Sequence, residues 1–356
     1  MSFAPPLALC VALAICAPSS AVAQADTTNP ERLRGVQVLR GAVATDAGFH
    51  VQTILTRPAG TTRRLPAIYF IQWLSCDPVS LTPTDSGGWT LMLRGLIERS
   101  GLVVMRTEKP GLGGSGGPPC DQLGYDTDLA AHRAALRVLR TSPWVHPDSI
   151  IIYGASMGGT MAPLLARDLS PLGVIVWGTT GYSWRDHLLA LDARVLRFRG
   201  VPNATVEAVL PVHRRFHDAY LVERRNPPDL TRGTAAFDSA WRRMIGTEAT
   251  NQYGRPFAFH QQAHHANWVA AWPAIKSPVL VAYGEYDWIM APDEHLRIRE
   301  LVTDPSRVAV LARPRTDHHF TVFQSQADAF AERGGRPDST VIDAILDWVT
   351  QLRKVR

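Results

Sequence analysis

The stretch around Ser156 constrains this chain more than any other. Ser149-Ile150-Ile151-Ile152-Tyr153 is apolar and rich in β-branched residues, so it reads as a buried strand. Gly154-Ala155-Ser156-Met157-Gly158 follows as a tight turn, and Gly159 to Ala166 continue as a helix. The glycines two positions either side of Ser156 answer a steric need, because the helix folds back against its own strand and leaves no room for side chains. Ser156 is thereby presented above a sheet edge, with a helix N-terminus facing any negative charge that develops there. The G-x-S-x-G pattern alone is weakly specific; the strand, turn and helix around it make Ser156 a candidate nucleophile.

The chain has 356 residues, 46% hydrophobic and 19% charged, which suits one large domain carrying an insertion, or two domains sharing a core. Leu7 to Cys16 is an apolar run followed by Ala21-Val22-Ala23, a small-x-small site. Residues 1–23 therefore read as a signal peptide, with a secreted or periplasmic mature protein. The run is too short to span a bilayer as a helix, no other segment reaches that length, and no stable membrane insertion is expected. Only Cys76 and Cys120 lie beyond the leader, an even number that suits one disulfide in an oxidising compartment.

The formal net charge of +5 is carried almost wholly by arginine. Between Gly181 and Ala270 twelve arginines face eight acidic residues. A solvated, salt-bridged face explains this better than nucleic-acid binding, since no aromatic-interleaved basic tract accompanies it.

Along the chain, Val36–Gly41 and Phe49–Thr56 flank a turn-rich stretch and read as an antiparallel hairpin at a sheet edge. Leu65–Leu74 is a nearly continuous apolar strand, and helix and strand then alternate: Gly87–Arg99, Gly101–Arg106, Tyr125–Arg140, Ser149–Tyr153, Met157–Asp168 and Leu172–Trp177. Such alternation demands right-handed crossovers onto a mostly parallel sheet with helices on both faces, an α/β class. From Thr180 to about Trp272 amphipathic helices replace it, including Trp184–Phe198 and Thr205–Arg224. The strand-helix rhythm resumes with Ser277–Tyr283, Ala291–Leu301, Arg307–Leu311 and Asp338–Leu352. The insertion reads as an all-helical cap over the carboxyl ends of the strands, where open α/β sheets bind ligands.

A serine nucleophile needs a base, and the base needs a carboxylate to hold its tautomer. Asp287 lies just past a buried strand, in Tyr283-Gly284-Glu285-Tyr286-Asp287, and His318 follows the next strand, in Thr316-Asp317-His318-His319. Serine, aspartate and histidine in that chain order, each shortly after a strand, form the arrangement of the α/β-hydrolases. The chain resembles that superfamily over residues 35–180 and 270–355, and most closely exported serine hydrolases of the esterase and acyl-peptidase kind. Supporting motifs are Gln72-Trp73-Leu74-Ser75-Cys76 and Arg106-Thr107-Glu108-Lys109-Pro110-Gly111-Leu112-Gly113-Gly114-Ser115.

The resemblance implies an eight-stranded sheet and an Asp-His pair, which favours His318 over His319 as base; Glu285 and Asp293 are the fallback acids. It implies an oxyanion hole built from the backbone N–H of Met157 and that of Trp73 or Leu74. It also places Cys76 and Cys120 beyond neighbouring strands, where a bridge would tie the oxyanion loop to the Gly-rich loop.

Two further motifs are discounted. Gly111 to Gly116 matches G-x-G-x-x-G, but Pro118 and Pro119 stand where a dinucleotide-binding helix would start. His260, His264 and His265 have metal-compatible spacing but lack the accompanying glutamate, so a pocket-lining or surface place is expected for them. The resulting expectation is a hydrolase core at residues 24–180 and 271–356 with a cap at 181–270. Ser156, His318 and Asp287 would cleave a small carboxylic ester through an acyl-enzyme, with no cofactor or metal. A short peptide substrate is the first alternative and a non-catalytic binding protein the second. Trp184, Arg194, Arg197, Arg199, Trp241, Arg242, Arg243 and Trp268 are the cap residues able to tune the pocket toward an aromatic or acidic substrate.

Overall fold

The computed structural model describes residues 30–354, so the expected signal peptide at 1–23 lies outside the described residues. Eight strands form one sheet: β1 (Val36–Ala44), β2 (His50–Pro58), β3 (Leu65–Ile71), β4 (Val103–Thr107), β5 (Val145–Ala155), β6 (Gly173–Trp177), β9 (Val279–Gly284) and β10 (Val308–Arg313), with two-residue strands β7 (Asn251–Gln252) and β8 (Arg255–Pro256) between β6 and β9. The sheet order is β1-β2-β4-β3-β5-β6-β9-β10. The β1–β2 and β2–β4 pairs are antiparallel, and every later pair is parallel.

Because the central strands carry apolar side chains on both faces, they can only be buried between helices. Tyr69, Ile71, Ile150 and Ile152 pack on one face with α2 (Tyr125–Thr141) and α3 (Met157–Leu169). Ile68, Phe70, Ile151 and Tyr153 pack on the other with α1 (Gly88–Arg99) and the closing helix, Val341–Lys354. The parallel direction puts the carboxyl ends of β3, β5, β9 and β10 on one edge. Short loops then deliver Trp73, Ser156, Asp287 and His318 to that edge.

The segment between β6 and β9 carries α4 (Trp184–Phe198), α5 (Asn203–His217), a π-helical turn at Asp218–Val222, α6 (Pro227–Gly233), α7 (Ala235–Arg243) and α8 (Phe257–Ala266). It is not all-helical. Strands β7 and β8 form a short antiparallel ribbon within it. The reason is the turn signal Tyr253-Gly254, both residues at positive φ, which reverses the chain before a helix can form. The expected single helix over Thr205–Arg224 also divides at His217, where the backbone widens into the π turn.

Candidate active site

Ser156 sits between β5 and α3 with φ 52° and ψ −119°, a conformation that an L-residue holds only when its surroundings enforce it. The crowding is measurable. A Cβ on Gly154 would lie 2.4 Å from the carbonyl oxygen of Gly158, and one on Gly158 would lie 2.3 Å from that of Ile71. Only glycine lets α3 pass this close to β5 and to the end of β3.

The loops after β9 and β10 complete a hydrogen-bonded chain. His318 Nε2 is 2.9 Å from Ser156 Oγ, and His318 Nδ1 is 2.8 Å from Asp287 Oδ2. The backbone N–H groups of Ile289 and Met290 donate to Asp287 Oδ1 at 3.0 and 2.8 Å, fixing the carboxylate beside the imidazole. Asp287 is fully buried. Burial pushes its carboxyl up, but the adjoining His318 and the donated hydrogen bonds outweigh this and hold it below the usual carboxylate range. The Trp177 indole N–H donates to the His318 carbonyl at 3.1 Å, and Trp177 stacks on Phe320 at 3.8 Å, which fixes the His318 loop from below.

The alternatives weighed from sequence are engaged elsewhere. His319 is exposed and its Nδ1 lies 3.5 Å from Asp317. Glu285 accepts from the Arg315 backbone and Asp293 from the Tyr182 hydroxyl. Met157 is the first residue of α3, so its N–H has no intrahelical acceptor. The N–H groups of Trp73 and Leu74 also donate no hydrogen bond among the described residues.

Cys76 and Cys120 are joined by a disulfide, which links the loop after β3 to the one that follows β4. Arg255, contributed by β8, reinforces the same loop. It is fully buried and donates through Nε to the Leu74 carbonyl at 2.9 Å, through Nη1 to the Cys120 carbonyl at 2.8 Å and through Nη2 to Asp128 at 3.1 Å. Sequence reasoning missed Arg255 and Asp128, because no local pattern marks a contact across 127 residues.

Above Ser156 lies a cavity of about 460 Å³, walled by Trp73, Trp89, Trp184, Leu188, Tyr253 and Trp288 among others. Of the cap residues named from sequence, only Trp184 lines it. Arg194 instead holds Glu294, Arg197 pairs with Glu207 and Arg242 with Asp238. His260 corrects its expected pocket-lining or surface place. It is buried outside the cavity wall, takes a hydrogen bond from the Trp184 indole at 3.1 Å and meets the Gln252 carbonyl at 2.8 Å. Burial drives its pKa down to about 4. Among the described residues no cluster of three or more His, Cys, Asp or Glu is placed to hold a metal ion, and no helix is long and apolar enough to cross a membrane.

Fold and site together define a serine hydrolase of the α/β-hydrolase superfamily. More specifically, the chain belongs to the S15 family, described as X-Pro dipeptidyl-peptidase, whose model matches residues 47–318. No curated protein matches the sequence. Among solved structures, a hypothetical protein from Pseudomonas aeruginosa shares 15% identity with a TM-score of 0.55, covering 93% of this chain and 99% of that one. Est1E from Butyrivibrio proteoclasticus, solved with ferulic acid bound, shares 12% identity with a TM-score of 0.54, covering 88% and 99%. The esterase domain of a Rhodothermus marinus protein shares 14% with a TM-score of 0.52, again covering 88% and 99%. At these identities the likeness is one of fold.

Proposed function

We propose that the protein hydrolyses carboxylic esters through an acyl-enzyme formed on Ser156. The observation that carries this reading is the continuous chain Ser156–His318–Asp287 opening on an apolar cavity. Ser156 Oγ attacks the ester carbonyl carbon while His318 Nε2 takes its proton. Met157 N–H, with that of Trp73 or Leu74, stabilises the resulting oxyanion. The tetrahedral species collapses, the bond to the alkoxy group breaks, and that group leaves as the alcohol with the proton from His318. Water then attacks the acyl carbonyl, gives its proton to His318, and the acid departs as Ser156 recovers its own. Asp287 holds the Nδ1–H tautomer and offsets the imidazolium charge.

In this reading residues 181–270 act as a cap over the sheet edge, and the disulfide accords with export to an oxidising compartment. A peptidase reading is favoured by the family match and by one residue, Asp77, which lines the cavity and could receive an N-terminal ammonium. The ester reading is preferred because Asp77 is exposed and already accepts the Ser75 hydroxyl at 2.5 Å, while the rest of the wall is apolar, histidine or hydroxyl. An ammonium group drawn into such a cavity needs a buried carboxylate to compensate its desolvation.

A fluorophosphonate probe is expected to label the wild type and not Ser156→Ala; an unlabelled, folded wild type refutes the enzyme assignment. Comparing kcat/KM for 4-nitrophenyl acyl esters with that for an aminoacyl-prolyl 4-nitroanilide decides between the readings. A higher value for the anilide overturns the ester preference.

A further inference from the structure

A second histidine-carboxylate pair adjoins the same cavity. His187, on α4, lines the cavity with only 1% of its surface exposed, and its Nδ1 is 2.7 Å from Glu294 Oε2. Glu294 is itself fully buried on α9 (Pro292–Leu301). Its other oxygen accepts from Arg194 Nη2 at 2.7 Å and from the Ala291 N–H at 3.2 Å. Arg194 also donates to the carbonyls of Trp288 and Ile289, so the cluster binds α4 to the loop that carries Asp287. Trp184 stacks on the His187 ring at 5.0 Å and fixes its plane.

The charges decide what this imidazole offers. Burial pushes the Glu294 carboxyl up, but His187 and Arg194 overcome this and bring it down to about 2, so it is a fixed anion. Arg194 supplies the compensating cation. Glu294 engages His187 through Nδ1, so Nε2 is the ring nitrogen left to meet a ligand. Nε2 has no hydrogen-bond partner among the described residues, and His187 lines the cavity.

We propose that His187 Nε2 is a specificity-determining hydrogen-bond partner for a phenolic hydroxyl, and that the preferred substrates are esters carrying a hydroxyaryl arm. This rests on the assignment of Ser156 as the nucleophile. The cavity walls select the rest of the arm: Trp184 and Trp288 offer aromatic faces, Leu188, Leu191 and Ile245 offer apolar ones, and about 460 Å³ accommodates a ring with a short linker. A carboxylate would bring a second anion close to the buried Glu294 carboxylate. An ammonium would bring an uncompensated charge into an apolar space beside Arg194. A phenol supplies a neutral hydroxyl, able to donate or accept, on an aromatic body, which matches both Nε2 and the walls.

The test uses two pairs of esters, each scored as the ratio of kcat/KM for the hydroxylated over the unsubstituted compound. Methyl 3-(4-hydroxyphenyl)propanoate is paired with methyl 3-phenylpropanoate, which places the ring on the acyl side. 2-(4-Hydroxyphenyl)ethyl acetate is paired with 2-phenylethyl acetate, which places it on the alcohol side. The wild type is expected to show a ratio of about ten or more in one series, because a site built around a hydrogen bond rejects the analogue lacking it. His187→Phe is expected to bring that ratio to about one, and His187→Gln, which keeps an acceptor oxygen, to retain part of it.

The ratio cancels the amount of active enzyme, so partial misfolding of a variant does not blur it. A wild-type ratio near one in both series overturns the proposal without recourse to any variant, as does a high ratio that survives in His187→Phe. Absence of fluorophosphonate labelling at Ser156, or of turnover of any ester, instead overturns the underlying reaction assignment.

Discussion

Replacing Arg255 with Met tests how the loop after β3 is held. The methionine keeps an unbranched apolar stem but removes the guanidinium, and three acceptors lose their donor together: the Leu74 carbonyl, the Cys120 carbonyl and Asp128 Oδ2. Asp128 is 2% exposed, its Oδ1 has no hydrogen-bond partner among the described residues and lies 3.7 Å from His132 Nε2, so the variant leaves a buried carboxylate stripped of its guanidinium partner. Breaking one side of a buried pair costs about 3–5 kcal/mol. With an unfolding entropy of roughly 2 cal/mol/K per residue, that lowers Tm by about 4–7 °C for a chain of this length.

The activity should fall as well, because the freed Leu74 carbonyl lets the neighbouring N–H groups drift from the oxyanion position. A displacement near 1 Å can cost about a hundredfold in kcat. Urea unfolding followed by tryptophan fluorescence, alongside ester turnover, gives both numbers. Adding Asp128→Leu removes the stranded charge and should restore stability by about 2 kcal/mol or more without restoring kcat. An Arg255→Met variant within 1 kcal/mol of the wild type, or a double variant no more stable than the single, refutes the account.

Other outcomes follow from the same geometry. Asp287→Asn should lower kcat by about 10⁴ through the wrong histidine tautomer while binding of a substrate analogue is largely kept, checked by steady-state kinetics and calorimetry. His318→Ala should lose at least a thousandfold and His319→Ala less than tenfold; equal losses would reopen the choice of base. For Glu294, the folded pKa of about 2 lies below the unfolded value near 4.5, so its stabilisation is complete above about pH 4.5 and is lost as pH falls toward 2. Denaturant midpoints across that window should therefore fall steeply in the wild type and less steeply in Glu294→Gln. Replacing Cys76 and Cys120 by serine should cost up to about 4 kcal/mol, since the bridge closes a separation of 44 residues, and a thiol titration of denatured, unreduced protein lacking residues 1–23 should find none.

The strand-helix rhythm from β3 onward, the elbow and the order of Ser156, Asp287 and His318 were legible because each depends on neighbours within about ten residues. Apolar runs can be buried only in a two-faced sheet, and glycines at fixed offsets answer a local clash. The choice between His318 and His319 was not local. It turned on which imidazole the loop after β10 aims at Ser156, and Trp177, on β6, sets that aim by donating to the His318 carbonyl and stacking on Phe320 of the same loop. The all-helical cap failed at Tyr253-Gly254, where two positive-φ residues reversed the chain and delivered Arg255 to the core.

What the sequence determined by itself was the proposed reaction centre, since the candidate nucleophile, its turn and its strand-borne partners are encoded by short-range sterics and by chain order. What only the tertiary structure decided was the cavity and its supports. Arg255 meets Asp128 across 127 residues and His187 meets Glu294 across 107. No local propensity encodes such encounters. They exist because burial forces each charged or polar group to find a partner wherever the packed chain brings one within reach.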